Sequence, residues 1–291
     1  MVDMNTNSCH HHADVDQEIR DHDRGLAFDL PTLMNRRRAL SLLAVGGLAS
    51  LVACGSSSDS SSESASTEVD GTAGSTTAAA AADGTTEIPD ETAGPYPGDG
   101  SNGVNVLTES GIVRQDIVSS FGDASGTAEG LLTTVEMTLL DVAGGGGPLA
   151  GAAVYIWHCT VDGKYSLYDQ EVANENFLRG VQESDSNGQV TFKTVYPGCY
   201  AGRWPHIHFE VFESLEVATA AGSKLKTSQI ALPEATNALV YATTGYEQSV
   251  QNLGQNSLDQ DNVFSDGYAS QLATASGTLA NGLTLKLNVG V

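Results

Sequence analysis

The chain has 291 residues, which is enough for one or two domains, and 40% of them are hydrophobic. It carries 36 acidic residues against 13 basic ones, for a formal net charge of −23. This balance argues against nucleic acid as a partner and against a basic patch for anionic lipid, so membrane attachment would have to rest on a lipid anchor.

Residues 1–53 have the pattern of an export signal. Arg36, Arg37 and Arg38 precede the apolar stretch 39–53, which is too short and too rich in glycine for a convincing spanning helix. Leu51-Val52-Ala53-Cys54 resembles a bacterial lipobox, which would make a lipidated Cys54 the mature N-terminus and anchor an exported protein to the cell membrane. The arginines resemble a twin-arginine signal, and a Sec signal is the alternative.

Residues 54–88 are mostly Ser, Thr, Ala, Gly and acidic residues, and they predict a flexible tether because they offer too little apolar surface to offset their ordering entropy. The composition then changes, and we expect one domain over residues 89–291. Its predicted strands lie at 131–142, 152–158, 189–195, 206–212, 226–232 and 283–289, and only 234–275 has any helical character. Many short strands separated by turns predict an all-β sandwich or barrel.

One of these strands carries a pair of histidines. Side chains two residues apart share a face of a strand, so His206 and His208 point the same way while Ile207, Phe209 and Val211 form the apolar face. Two imidazoles on one face can chelate a metal ion. The alternative is a pair of buried histidines hydrogen-bonded to the backbone.

Tyrosines near the histidine pair bear on which metal would bind. Tyrosine is a poor ligand for most divalent ions because its pKa near 10 keeps it neutral, whereas a trivalent cation favours the anion. Two tyrosines with two histidines therefore indicate ferric iron, since ferrous sites favour two histidines and a carboxylate. Tyr200 lies just upstream of the pair, but the residues alone do not choose among Tyr155, Tyr165 and Tyr168 for the second tyrosine.

Three short motifs together resemble the intradiol ring-cleavage dioxygenases, the family of protocatechuate 3,4-dioxygenase and catechol 1,2-dioxygenase. They are Gly163-Lys164-Tyr165-Ser166, Pro197-Gly198-Cys199-Tyr200, and Arg203 with His206 and His208 at the spacing Arg-x-x-His-x-His. The similarity covers 91–96, 154–169 and 185–212, and weakens toward residue 232. It implies a β-sandwich enzyme that uses non-haem Fe(III) and O2 to open catechol-type diols to muconate-type acids.

The resemblance also implies roles for single residues. Tyr165 and His206 would be equatorial iron ligands, and Tyr200 and His208 axial ones, with Tyr200 leaving when the substrate binds. Arg203 would stabilise negative charge on the ring. Gln229 would be a second residue of the substrate pocket, Pro95 and Tyr96 would line it, and His158 and Trp157 would be structural.

Two departures from the family leave the substrate and the oligomeric state open. Only five residues separate Tyr200 from His206, and the segment before the domain has the composition of a tether rather than of a dimerisation helix. Two other functions compete with the enzyme. One is a β-sandwich lipoprotein that binds aromatic or metal ligands without turnover, which would not need Arg203. The other is a zinc hydrolase, which would need a carboxylate or a third histidine.

Two cysteines remain inside the domain, Cys159 and Cys199. An even pair in an exported domain predicts a disulfide, which here would join the two tyrosine-bearing segments. Two buried free thiols are the alternative.

Overall fold

A computed structural model describes residues 86–291. The predicted export signal, the candidate lipidation residue Cys54 and the tether up to residue 85 lie outside the described residues. Within the described part of the chain, none of the helices has the length and apolar character needed to cross a membrane.

Residues 86–291 contain nine strands, three short α-helices and two single 3-10 turns. The strands are β1 Leu132–Asp141, β2 Gly147–Pro148, β3 Ala153–Trp157, β4 Arg179–Glu183, β5 Gln189–Val195, β6 His206–Phe212, β7 Lys224–Ala231, β8 Thr274–Thr278 and β9 Gly282–Gly290. The helices are α1 Leu215–Thr219, α2 Glu234–Tyr241 and α3 Glu247–Leu253, and the 3-10 turns are Leu258–Gln260 and Phe264–Asp266.

The strands form two sheets. The first has the order β2-β1-β9-β8, with β5 also paired to β1, and its β1–β9 pair is parallel. The second has the order β4-β3-β6-β7, and all its pairs are antiparallel. The structure therefore confirms the all-β sandwich that the sequence predicts.

The main core lies between the two sheets. Alternate residues of β6, namely Ile207, Phe209 and Val211, are fully buried there against apolar side chains of β1 and β9. The alternation turns His206 and His208 to the opposite face of the second sheet, as expected for a strand. Loops cover that face and form a second apolar cluster, which includes Trp157 of β3. The candidate site is thus outside the sandwich core, under the loops.

The six predicted strands agree with the structure to within two residues at each end. The sequence did not predict β2, β4 and β8, and it placed only a weak helical signal where α2 and α3 occur. β4 was missed because it begins with Arg179 and Gly180, which are atypical of a buried strand. β8 was missed because its sequence, TASGT, has no apolar alternation.

Candidate metal centre

Four nitrogen and oxygen donors converge on the loop-covered face of the second sheet. The Nε2 atoms of His206 and His208 are 3.0 Å apart, and the Oη of Tyr200 lies 3.1 Å from His206 Nε2. The ring of Tyr165 lies 5.9 Å from that of Tyr200 and 6.2 Å from that of His208, between centroids. The structure therefore brings together all four residues that the sequence proposes as ligands.

The two histidines are held so that ring nitrogens face this cluster. His206 Nδ1 hydrogen-bonds the carbonyl oxygen of Trp204. Because a carbonyl only accepts, Nδ1 carries the proton and Nε2 presents its lone pair to the cluster. The ring of His208 stacks on Trp157 at 4.9 Å with an interplanar angle of 5°. Both imidazoles are therefore oriented before any ion binds.

The contacts of the tyrosines choose among the three candidates that the sequence left open. Tyr155 Oη donates to Pro97 O at 2.7 Å, and Tyr168 Oη donates to Asn102 Oδ1 at 2.8 Å, so both hydroxyls are engaged elsewhere. The Oη of Tyr165 is buried and has no hydrogen-bond partner among the described residues. An unpaired buried hydroxyl is costly, and its place beside the histidine pair fits a metal ligand. Tyr165 is the second tyrosine of the cluster.

Two glycines allow the tyrosine-bearing loops to approach each other. Gly163 has φ +85°, and a Cβ there would lie 2.9 Å from Tyr200 Cβ. A Cβ on Gly198 would lie 2.3 Å from the carbonyl oxygen of Val161. Any side chain at either position would push apart the loops that carry Tyr165 and Tyr200. The glycines of the two sequence motifs thus set the distance between the two phenols.

Burial sets the protonation of the donors. It lowers the pKa of His206 and of His208 below the usual range, with the nearby positive charge of Arg203 adding to the effect, so both imidazoles are neutral and able to coordinate. Burial also raises the pKa of Tyr165 well above 10 and that of Tyr200 to about 12. The phenols would therefore ionise only beside a strong cation.

This donor set fits ferric iron, which stabilises phenolate ligands and also accepts neutral imidazoles. Among the described residues, no group of three or more histidine, cysteine or acidic side chains is placed to hold a metal ion. The third histidine or carboxylate that a zinc hydrolase would need does not join the histidine pair in this part of the chain.

Arg203 and Gln229 lie beside the cluster and contact each other. The Arg203 side chain is 4% exposed, and its Nη2 donates to Gln229 Oε1 at 2.7 Å. Gln229 is fully buried on β7, directly across from His208, and its Nε2 donates to Thr92 O at 2.8 Å. Gln229 therefore connects Arg203, the candidate charge-stabilising group, to Thr92 of the segment 91–97, which covers the site and is called the covering segment below.

The segment predicted to line a substrate pocket lies over the cluster. A Cβ on Gly94 would be 3.3 Å from His208 Cε1, and the Tyr96 ring is 4.9 Å from the Tyr165 ring. Pro95 lies between them and is half-buried, and its carbonyl accepts from Asn102 Nδ2 at 2.9 Å. Tyr96 thus contacts a proposed ligand directly, whereas Pro95 contributes to the site through the shape of the segment.

Sequence reasoning missed Arg179, which fastens this segment. Its guanidinium is fully buried and donates five hydrogen bonds, to Tyr96 O, Pro97 O, Tyr155 Oη, and the Oγ and carbonyl oxygen of Ser166. It therefore joins the covering segment to the residue that follows Tyr165. A signal was present in the sequence, because Arg179 is the only basic residue between Lys164 and Lys193 and stands in an apolar run.

Cys159, Cys199 and His158 surround the cluster without entering it. The predicted disulfide is not formed in the structure, where both cysteines are buried free thiols. Cys159 Sγ lies 3.5 Å from Gly198 O and Cys199 Sγ lies 3.5 Å from Arg203 O, so each thiol hydrogen-bonds a backbone carbonyl instead. The ring nitrogens of His158 bind Cys159 O and Thr194 Oγ1, which agrees with the structural role expected for it.

The sequence comparisons agree with the motif resemblance. Residues 108–220 match the family model described as Dioxygenase, a range that contains Tyr165, Tyr200, Arg203, His206 and His208. Chlorocatechol 1,2-dioxygenase from Pseudomonas sp. (strain P51) is 30% identical over 84 residues, which are 23% of this chain and 33% of that protein. The aligned part thus spans a third of the length of this curated relative.

A solved structure shows the same likeness, and a second is reported beside it. An intradiol ring-cleavage dioxygenase from Tetranychus urticae is 28% identical, with a TM-score of 0.51 over 62% of this chain and 87% of that chain. The dioxygenase domain of a dioxygenase carbohydrate-binding protein fusion from Streptomyces sp. SirexAA-E is 19% identical, with a TM-score of 0.45 over 71% of this chain and 98% of that domain. The chain is similar to the intradiol ring-cleaving dioxygenases, and the resemblance inferred from its motifs is confirmed.

Proposed function

We propose that residues 89–291 form a non-haem Fe(III) dioxygenase that performs intradiol cleavage of catechol-type aromatic diols with O2 to give muconate-type dicarboxylic acids. One observation carries the proposal. Two neutral imidazoles and the Tyr200 phenol converge within hydrogen-bonding distance beside a buried guanidinium, and the Tyr165 phenol lies next to them with no hydrogen-bond partner among the described residues.

In this proposal Tyr165, Tyr200, His206 and His208 hold the metal. Bound ferric iron would supply the Lewis acidity that makes a chelated catechol reactive toward O2. The chain's own contribution is to orient the donors, to keep both imidazoles neutral and to cover the site with the segment that carries Tyr96. Burial of Tyr165 and both histidines excludes water from that side of the cluster.

Two side chains would handle proton and charge. As a phenolate, Tyr200 Oη would accept a proton from a catechol hydroxyl, because the pKa of this phenol is raised to about 12 and its anion is therefore a strong base. Arg203 would place its permanent positive charge against the ring as negative charge develops there. Gln229 fixes one edge of that guanidinium.

The contacts of Arg203 also weigh against a lipoprotein that only binds ligands. A guanidinium buried beside a set of metal-binding side chains lowers their affinity for a cation, since like charges repel. Such a cost is understandable where the charge serves a reaction. We therefore favour the enzyme over the binding protein.

The test is to purify residues 55–291, load the protein with ferric iron, record its visible spectrum and follow O2 uptake with a panel of catechols. Phenolate-to-iron charge transfer should colour the protein red to brown, and at least one catechol should be consumed with O2. The Arg203→Leu variant should keep the colour of the resting protein and lose most turnover. A colourless iron-replete protein would refute the tyrosinate site and the dioxygenase with it.

A further inference from the structure

The buried carboxylate of Asp261, in the segment after α3, binds the Arg203 side chain. Asp261 Oδ2 accepts from Arg203 Nε at 2.9 Å and from the backbone N–H of Trp204 at 2.6 Å. Its Oδ1 accepts from the backbone N–H groups of Val263 at 2.9 Å and Phe264 at 3.2 Å. With a side-chain exposure of 0%, the carboxylate has a single fixed orientation.

These contacts leave one part of the guanidinium available. Nε is bound to Asp261 and Nη2 to Gln229, two acceptors along one edge of the planar group. No hydrogen bond from Nη1 to the described residues is found. The backbone N–H of Phe264 donates to Asp261, and the Phe264 ring lies 5.9 Å from Arg203 Cζ. The group is thus fastened on one edge and keeps unused donors on the other.

We propose that Asp261 is a positioning residue for the reaction: it holds Nε of Arg203 so that Nη1 is the donor offered to the reacting ring. This inference rests on the dioxygenase function proposed above. Asp261 would act only through Arg203, since within residues 86–291 its carboxylate makes no hydrogen bond to a proposed metal ligand. Transition-state charge is stabilised best by donors fixed in advance, and a guanidinium free to change rotamer would lose that advantage.

The first test compares Asp261→Asn with Asp259→Asn, a matched loss of charge at an exposed position two residues away. We expect Asp261→Asn to lower kcat roughly 10- to 100-fold, with a smaller change in KM, because placement errors of about 1 Å cost that much. Iron content and the visible spectrum of the resting protein should stay unchanged. Asp259→Asn should behave as the wild type does. Full kcat in Asp261→Asn would overturn the proposal.

A double variant separates positioning from a general structural role. In the Arg203→Leu background, Asp261→Asn should cost no further activity, because the group it positions is already gone. A structural role predicts the same fold-loss in both backgrounds, and that result would overturn the proposal.

A third measurement needs neither iron nor turnover. In the metal-free protein, the Nε–H of Arg203 should exchange slowly with solvent in heteronuclear NMR spectra, with Arg203→Leu identifying its signal. Fast exchange in the wild type would overturn the proposal even if Asp261→Asn did not fold. An inactive, colourless wild type would instead overturn the dioxygenase function, and an active wild type beside a fully active Asp261→Asn would overturn the role of Asp261 alone.

Discussion

Tyr165 and Tyr200 have different surroundings, and the difference predicts different losses when each hydroxyl is removed. Within residues 86–291, the Tyr165 hydroxyl is buried and has no hydrogen-bond partner, whereas Tyr200 is only partly buried. We expect Tyr165→Phe to weaken iron retention, colour and activity together. Tyr200→Phe should keep iron but slow the binding of a catechol, because its phenolate is the base that would accept the catechol proton. Metal analysis and rapid-mixing spectra with catechol would measure both effects.

Tyr246→Phe is the control for this pair. Tyr246 is also buried, but its hydroxyl donates to Tyr196 O in the main core, so its loss should leave the visible spectrum unchanged. If Tyr165→Phe has an unaltered spectrum, Tyr165 is not a ligand.

Glu91 makes the stability of the domain depend on pH. Burial and, after it, Asp266 raise the pKa of this half-buried carboxyl from 4.5 to about 8, although Gln271 Nε2 lies 3.3 Å from its Oε1. The folded state therefore keeps a proton that the unfolded chain has lost, so the stabilisation is complete below about pH 4.5 and disappears as the pH rises through 8.

Glu91→Gln mimics the protonated acid and should remove this dependence. Its free energy of unfolding relative to the wild type should rise by about 1 kcal/mol per pH unit across the window between the two pKa values. Urea unfolding at several pH values would measure it. Glu129→Gln, the same change at an exposed position, is the control. A difference for Glu91→Gln that does not change with pH would contradict the raised pKa of Glu91.

For single residues, the sequence was informative where the two-residue period of a strand determines which face a side chain occupies. The spacing of His206 and His208 required a shared face, and the structure has one. Selecting Tyr165 over Tyr155 and Tyr168 depended on which hydroxyls find other partners. Those partners, Pro97 and Asn102, lie 58 and 66 residues away in the chain, so no local pattern contains the answer.

The loops that carry the proposed ligands Tyr165 and Tyr200 are held at a fixed distance by glycines. Gly163→Ala would place a methyl group against Tyr200 Cβ, while Gly151→Ala puts one into open space at a similar φ, +80° against +85°. Both variants should lose about 1–2 kcal/mol from the left-handed backbone. Gly163→Ala alone should also lose iron affinity, measured by metal titration and by the visible band. Equal affinity in the two variants would contradict a role for Gly163 in spacing the phenols.

Prediction of the elements succeeded where one face of a strand is buried. Alternation in β1, β5 and β9 follows directly from packing on the core. The segment 234–275 has no such period, yet it supplies Asp261, the carboxylate that binds Arg203. Its contribution to the site is the long-range contact between Asp261 and Arg203, and a single contact of this kind produces no periodic pattern in the sequence.

The position of the site is set by the geometry of the second sheet and not by the size of the core. β6 is buried on both faces, with apolar side chains toward the first sheet and the histidines toward the covering loops. Arg179 and Gln229 then attach the covering segment to the second sheet through Tyr96, Pro97 and Thr92. The resemblance over 108–220 includes the four proposed ligands but not the covering segment or Asp261.

The proposed location of the protein rests on residues outside the described part of the chain. With a net charge of −23, attraction to anionic lipid cannot hold the protein at a membrane, so the proposed attachment depends on lipidation of Cys54. Cys54→Ala should move the protein from the membrane fraction to the soluble one. Cys9→Ala, which changes a cysteine ahead of the proposed cleavage site, should leave it in the membrane fraction. Equal partition of the two variants would rule out the lipid anchor and leave the catalytic proposal untouched.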